Sequence, residues 1–332
     1  MRILFIVDST FGDTRGNASR LYFDFIIRLA DLCDIIIYGP EEREINGSEL
    51  SPIKFDEKAT IDDIVKDSNS DIVLTLSSQA VGHFLPKKDS TNFPLVMMEA
   101  DYQDVVLWNT GKYNIAHEDN WYTKRGVDFI IHRGPWTNCP LCLESVWLPL
   151  SADENEFNSS KTRDYLIGRY REIAFIGAVT RSIHYKVRRK AIDTLKEEEW
   201  FSDLGIVDKD DYPRVLREYI GILSDSGSYL HMTLGKVFEA MASGTAIITT
   251  WFYGSDLLFG KNQCFFKYRD DCTDLKAVSE EVLNNLSKTK HITDNALVEV
   301  NKHHLHKHRI IELYNILYAV LNGKDIPRKW GL

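Results

Sequence analysis

What most constrains this chain is a recurrence of short apolar runs that have no polar face. "RILFIV" (2–7), "DIIIYG" (34–39), "DIVLTLSS" (71–78), "FPLVMMEAD" (93–101), "VDFIIHR" (127–133) and "SVWLPL" (145–150) are of this kind, separated by polar or helix-compatible stretches. The first run leads through a polar, glycine-bearing loop into "RLYFDFIIRLADL", whose apolar positions recur at helical spacing. A strand that is apolar on both sides belongs in a parallel sheet covered by helices on each face. Residues 1–150 therefore read as one α/β domain. The polar, turn-rich stretch "SADENEFNSSKTRDYLIGRYR" (151–171) reads as an interdomain linker.

Beyond it the pattern resumes over 172–310. "EIAFIGAV" (172–179), "EYIGILSDS" (218–226) and "TAIITT" (245–250) are expected strands, while "HYKVRRKAIDTLKEEEW" (184–200) and "KVFEAMASG" (236–244) are expected helices. Two more helices are expected in "TDLKAVSEEVLNNL" and "KHRIIELYNILYAVLNG", and the segment 311–332 is expected to pack back on the first domain. The architecture expected is two Rossmann-like, doubly wound α/β domains. Ligands of such sheets bind outside the carboxyl ends of the strands, so function is expected in the cleft where those ends face each other.

At 332 residues and 44% hydrophobic content the chain can bury a core in each of two domains. Its formal net charge of -9 argues against binding polyanions over the whole surface. No apolar run approaches the ~18 residues of a membrane span, and "MRILFIVDST" lacks the basic start of a secretory signal. A soluble, cytoplasmic protein is expected. The five cysteines, Cys33, Cys139, Cys142, Cys264 and Cys272, suit a reducing compartment. Cys139 and Cys142 form a lone CxxC with only His132 nearby, which falls short of a four-ligand zinc set.

The window "ILSDSGSYLHMTLGKVFEAMASGTAIITTWFYGSD" (222–256) carries the most chemical information. A strand runs into a loop with Gly227 and Gly235, a short helix follows, and Gly244 turns the chain into the next strand. The free amides and positive dipole end of that helix can hold a phosphate, with Gly227, Ser228, Thr233, Leu234 and Gly235 as candidate contacts. Glu239, about one turn further in, is placed to accept from ribose hydroxyls. The same spacing also fits an ordinary strand-loop-helix-strand unit with a plain surface glutamate.

These residues resemble a known family. "KVFEAMASGTAIITT" is similar to the donor-site segment of GT-B glycosyltransferases of the large retaining group, glycosyl transferases group 1. "VWLPLSADENEF" resembles their interdomain crossing, and "EIAFIGAVTRS" the first strand of their second domain. The Phe-Glu pair before a small-residue helix, with the Arg-bearing "HKHRIIELYNIL" later, is most similar to the CgeB-like branch. The resemblance implies a hexosyltransferase-type enzyme using a nucleotide-diphosphate sugar, UDP-linked for preference, with retention of configuration and no obligatory metal or other cofactor. It implies a ribose contact for Glu239. The family's other glutamate, which contacts the transferred sugar, falls on His231, a departure that leaves the sugar open. The family's basic pair for the leaving diphosphate falls on Arg181 and Lys186, inside a window (161–190) with nine Lys or Arg against two acids. His83 matches the place where relatives have a histidine touching the donor sugar, and Gly12 and Arg15 lie in the loop that relatives bring to the cleft.

Glu99 and Asp101 end the fourth apolar run two residues apart, where either could orient or deprotonate an acceptor hydroxyl or simply make a salt bridge. His303, His304, His306 and His308 look like a metal tract, with 304 and 308 one turn apart if helical, but no carboxylate or cysteine completes a set and no metal site is expected. The acceptor is expected to be a glycan or small molecule, with modified DNA as a less favoured candidate. A non-catalytic nucleotide-sugar or glycan binder and a nucleotide-sugar epimerase are the alternatives.

Overall fold

The computed structural model describes residues 1–6, 25–39, 52–53, 56, 58–77, 88–99, 122–123, 125–134, 143–157, 166–179, 185–226, 231 and 233–330. The chain divides into two compact units, Met1–Pro149 with Ile310–Leu332, and Leu150–Arg309.

In the first unit, strands β1 (Arg2–Ile6), β2 (Asp34–Tyr38), β3 (Pro52–Ile53), β4 (Ile72–Ser77), β5 (Leu95–Glu99), β6 (Phe129–His132) and β7 (Glu144–Trp147) form one sheet in the order β3-β2-β1-β4-β5-β6-β7. Every pairing is parallel. Because side chains alternate across a strand, each run feeds two cores. Ile3, Phe5, Ile72, Leu74, Val96 and Met98 face one side, where they meet Phe25 and Ile26 of helix α1 (Phe25–Ile27). Ile310, Leu313, Ile316 and Leu317 join the same cluster. Leu4, Ile6, Val73, Leu95 and Met97 face the other, against Ile61 and Ile64 of α2 (Ile61–Ser68). That helix starts on a reciprocal Thr60–Asp63 capping box and stops at Asn69, which is left-handed at φ 51°.

In the second unit, β8 (Tyr170–Phe175), β9 (Phe201–Asp203), β10 (Tyr219–Leu223), β11 (Ala246–Thr249) and β12 (Phe266–Lys267) pair in parallel in the order β12-β11-β10-β8-β9. The connecting helices are α3 (Lys186–Leu195), α4 (Tyr212–Glu218), α5 (Gly235–Ala242), α6 (Ser255–Phe259), α7 (Leu275–Asn284) and α8 (Leu286–His303), with α9 (His306–Leu321) running across the division between the units. Both sheets have the doubly wound order expected. The strand order reverses beside β1 in the first and between β8 and β10 in the second.

Two local expectations change. Where two C-terminal helices were expected there are three, because α8 has a polar sequence whose buried stripe is only Thr289, Ile292, Thr293, Ala296 and Val300. The chain also breaks between α8 and α9: His304 caps α8, and Leu305 bridges to Ala152. His304 and His308 therefore do not share a helix. His304 is fully buried, with Nε2 on the Leu258 carbonyl at 2.9 Å and Nδ1 facing Arg309 at 2.6 Å, so it is a packing and hydrogen-bonding residue.

Gly221 sits at the centre of β10. A Cβ there would lie 2.6 Å from Ile173 Cδ1 and 3.4 Å from Val282 Cγ1. Gly221→Val should therefore cost about 2–3 kcal/mol by overpacking, read as a lower denaturant midpoint at unchanged slope.

Candidate functional site

The second unit gathers its polar residues at the carboxyl ends of β8, β10 and β11, beside the point where the strand order reverses. Helix α5 begins there. Its N-cap, Leu234, has an extended backbone and offers no side-chain acceptor. The Val237 amide donates to the Leu234 carbonyl at 3.1 Å, which leaves the Gly235 and Lys236 amides of the first turn with no acceptor among the described residues. Apart from Lys236 and Glu239 the helix is apolar and buried, and it stops at Gly244, φ 64°, whose amide donates to Met241 while that of Thr245 donates to Ala240. Arg169 covers the negative end, donating to the Ser243 carbonyl at 2.9 Å and to Thr245 Oγ1 at 2.5 Å. A cation at the C-terminus and an open N-terminus leave the helix dipole available to an anion.

Around this start, Thr233 is 1% exposed and its hydroxyl has no hydrogen-bond partner among the described residues. Lys236 is the second residue of the helix, a position where the dipole disfavours a cation. Its Nζ donates to the Ile176 carbonyl and lies 4.9 Å from the centre of the Phe175 ring. Gly177, φ 143°, makes room for it: a Cβ there would come within 3.3 Å of Nζ. Burial, then the positive charge of Arg188, pushes the Lys236 amine down to about 8, against the opposing pull of Asp225 and Glu239. Arg188, from α3, pairs with Asp225 at 2.9 Å and donates to the Ala178 carbonyl at 3.0 Å. Glu239, one turn into α5, is 5% exposed and accepts from the Tyr212 hydroxyl at 2.9 Å.

On the other side of the helix start, His231 is held at φ 40°, its carbonyl accepting from the Tyr253 amide at 2.6 Å. Its Nδ1 lies 3.5 Å from Ser226 Oγ and its Nε2 3.9 Å from Asp270 Oδ2. Ser226 and Thr250 share a hydroxyl hydrogen bond of 2.6 Å.

Of the residues singled out in the sequence, Glu239, His231, Thr233, Leu234 and Gly235 come together here. Lys186 is the exposed first residue of α3, and Arg188, two residues on, is the one that reaches the cluster. Glu99 lies in the first unit at the end of β5, 1% exposed, taking the Tyr122 hydroxyl at 2.8 Å. His83, Asp101, Arg181, Gly227, Ser228, Gly12, Arg15, Cys139 and Cys142 lie outside the described residues. His132 is buried, its Nδ1 donating to the Gly134 carbonyl at 2.6 Å, and burial lowers its imidazole to about 4. Sequence reasoning overlooked Lys236. The available signal was a lysine in the first turn of an otherwise apolar helix, where it opposes the dipole unless an anion sits nearby. Among the described residues no cluster of three or more metal-ligating side chains occurs, and no helix is long and apolar enough to cross a membrane.

No protein-family model matches the chain, and no curated protein matches it. Solved structures do. A glycosyltransferase from Rickettsia africae ESF-5 is 14% identical, with a TM-score of 0.66 over 97% of this chain and 99% of that one. Sucrose-phosphate synthase from Thermosynechococcus elongatus is 10% identical, with a TM-score of 0.67 over 98% and 100%. HepE of Anabaena, in complex with UDP and glucose, is 13% identical, with a TM-score of 0.65 over 96% and 100%. Identities this low speak to fold alone, and with the two parallel sheets just described they establish it: the chain has the GT-B fold, two Rossmann-like α/β domains of doubly wound topology.

Proposed function

We propose that this chain is a glycosyltransferase that moves a hexose from a nucleoside-diphosphate donor, UDP-linked for preference, to a hydroxyl acceptor, and that donor binding belongs to the unit Leu150–Arg309. The observation that carries the reading is the start of α5: a helix terminus with no side-chain cap, a buried hydroxyl on Thr233 with no partner among the described residues, and the Lys236 ammonium from the same first turn. Each is costly in a ligand-free protein, and a diphosphate would satisfy all three at once. Glu239 would then accept from the ribose hydroxyls, keeping Tyr212 as the group that orients its carboxylate.

As the bond to the sugar breaks, about two negative charges gather on the leaving diphosphate. The α5 amides, Lys236 and, in this reading, Arg181 and Lys186 stabilise that charge without a metal. Retention of configuration and membership of the CgeB-like branch are part of the same proposal, supported by the sequence resemblance. The acceptor is a glycan or a small molecule. A donor-only and donor-plus-acceptor assay tests the reading. Release of UDP from a UDP-sugar that rises with a hydroxyl acceptor supports it, whereas interconversion of two UDP-sugars identifies an epimerase, and saturable binding without turnover a binder.

Thr233→Val offers a cheaper test. The substitution keeps the shape and removes a buried hydroxyl that has no partner among the described residues, so the ligand-free protein should hold its stability or gain up to about 1 kcal/mol. UDP affinity should fall by about three- to tenfold, measured by titration calorimetry. A destabilised variant with unchanged UDP affinity would show that the hydroxyl serves the fold instead.

A further inference from the structure

Beside the phosphate-binding end of α5 lies a group that the diphosphate and ribose contacts do not use. Trp251 leaves the end of β11 with 37% of its surface exposed, large for a tryptophan at the edge of an otherwise buried strand. Tyr253 packs against it at 4.6 Å and 75°, a perpendicular contact that covers at most one face of the indole. His231 lies 5.9 Å from Trp251 and 5.8 Å from Tyr253, ring centre to ring centre. Polar groups border the aromatic pair: the His231 imidazole, the half-exposed carboxylate of Asp270 and the Ser226–Thr250 hydroxyls.

A partly exposed indole bordered by an imidazole and a half-exposed carboxylate matches one ligand chemistry closely. A pyranose ring presents an apolar face of C–H groups and a rim of hydroxyls, so it can lie on the indole while its rim donates to Asp270 and His231. The cationic residues Lys236 and Arg188 lie toward β8, while Trp251 and His231 lie toward β11 and β12, so the α5 start stands between a charged lobe and an aromatic one. In a nucleotide sugar the hexose adjoins the diphosphate, so a diphosphate held by the α5 start and Lys236 would leave the hexose on the side of Trp251. Resting on the donor site proposed above, we propose that Trp251 is the stacking platform for the transferred pyranose and that Asp270 reads its hydroxyls, beside the His231 position that the sequence resemblance already links to that sugar.

The quantity to measure is the sugar increment: the ratio of the dissociation constant of UDP to that of the tightest among UDP-glucose, UDP-galactose and UDP-N-acetylglucosamine, by calorimetry or tryptophan quenching. Wild type should show an increment of about tenfold, Trp251→Ala should reduce it to near one, and UDP itself should bind both proteins within about twofold. Trp251→Phe should keep most of the increment, and Trp251→Leu, which retains apolar bulk without a π face, should lose it. The proposal is overturned if wild type shows no increment, if Trp251→Ala or Trp251→Leu retains it, or if Trp251→Ala weakens UDP as much as the sugar nucleotides, which would make the indole a base-stacking residue. Failure of the donor site itself looks different: UDP would not bind wild type, or would bind Glu239→Ala equally well.

Discussion

Replacing Lys236 with methionine should stabilise the ligand-free protein at neutral pH and weaken UDP binding, two opposite effects from one side chain. The amine is buried against the Ile176 carbonyl and Phe175, with its protonation pushed down from 10.5 to about 8. Below pH 8 both folded and unfolded chains carry the proton, and the folded state bears the full cost of holding that charge out of water. Between about 8 and 10.5 the unfolded chain binds the proton and the folded chain does not, so this group makes stability rise with pH across that window. Methionine keeps the stem and removes the charge. Asp225 retains Arg188, and Glu239 retains the Tyr212 hydroxyl, so neither carboxylate is left alone. The gain should be about 2 kcal/mol at pH 7 and should vanish near pH 10.5.

UDP affinity should meanwhile fall by about 10- to 100-fold, the worth of a charge-assisted contact to a phosphate. A diphosphate beside Nζ also restores the protonated form, so wild type should take up protons on binding UDP at pH 8–9. Calorimetry in buffers of different ionisation heat reads that uptake, and Lys236→Met should abolish it. A less stable Lys236→Met protein with normal UDP affinity would make the lysine structural.

The second large effect falls on Glu239. Its carboxylate is nearly buried and accepts the hydroxyl of Tyr212, itself only 2% exposed. Glu239→Ala removes the proposed ribose acceptor and one hydrogen bond of that hydroxyl. Nucleotide affinity should fall by about 1.5–3 kcal/mol, and stability by about 1–3 kcal/mol from the lost hydrogen bond between phenol and carboxylate. Tyr212→Phe separates the two. It should leave stability near wild type and weaken UDP by only a few-fold, and the double variant Glu239→Ala, Tyr212→Phe should recover stability while still binding UDP poorly. Coupling of 0.5–3 kcal/mol between the two substitutions is the expected signature of direct contact. A double variant that binds UDP normally would remove Glu239 from the ribose role.

Much of the fold is readable before any coordinates. The apolar runs at 2–7, 71–78 and 93–101 become β1, β4 and β5 because only a doubly covered parallel sheet buries both faces. Gly244 marks the end of α5 because the turn into β11 needs a left-handed residue. Other elements are harder to read. Helix α8 is polar at most of its 18 residues, so its thin buried stripe gives little periodic signal. The histidine tract breaks at His304 because the pairing of Leu305 with Ala152, more than 150 residues away in sequence, interrupts the helix.

The candidate site divides in the same way. Glu239, Thr233 and His231 lie within nine residues of one another, so local spacing alone draws them into one window. Arg188, Asp225, Gly177 and Lys236 come from the start of α3, the end of β10, the end of β8 and the start of α5. Their meeting depends on β8 and β10 becoming neighbours in the sheet. Sequence by itself determined most of the central strands, their parallel sense and the helix whose start can take an anion, since these follow from patterns a few residues long. Which cation stands beside that start, which carboxylate holds Arg188, and that Trp251 remains open were decided by strand order alone, because residues distant along the chain acquire a charge or a neighbour only when the sheet places them together.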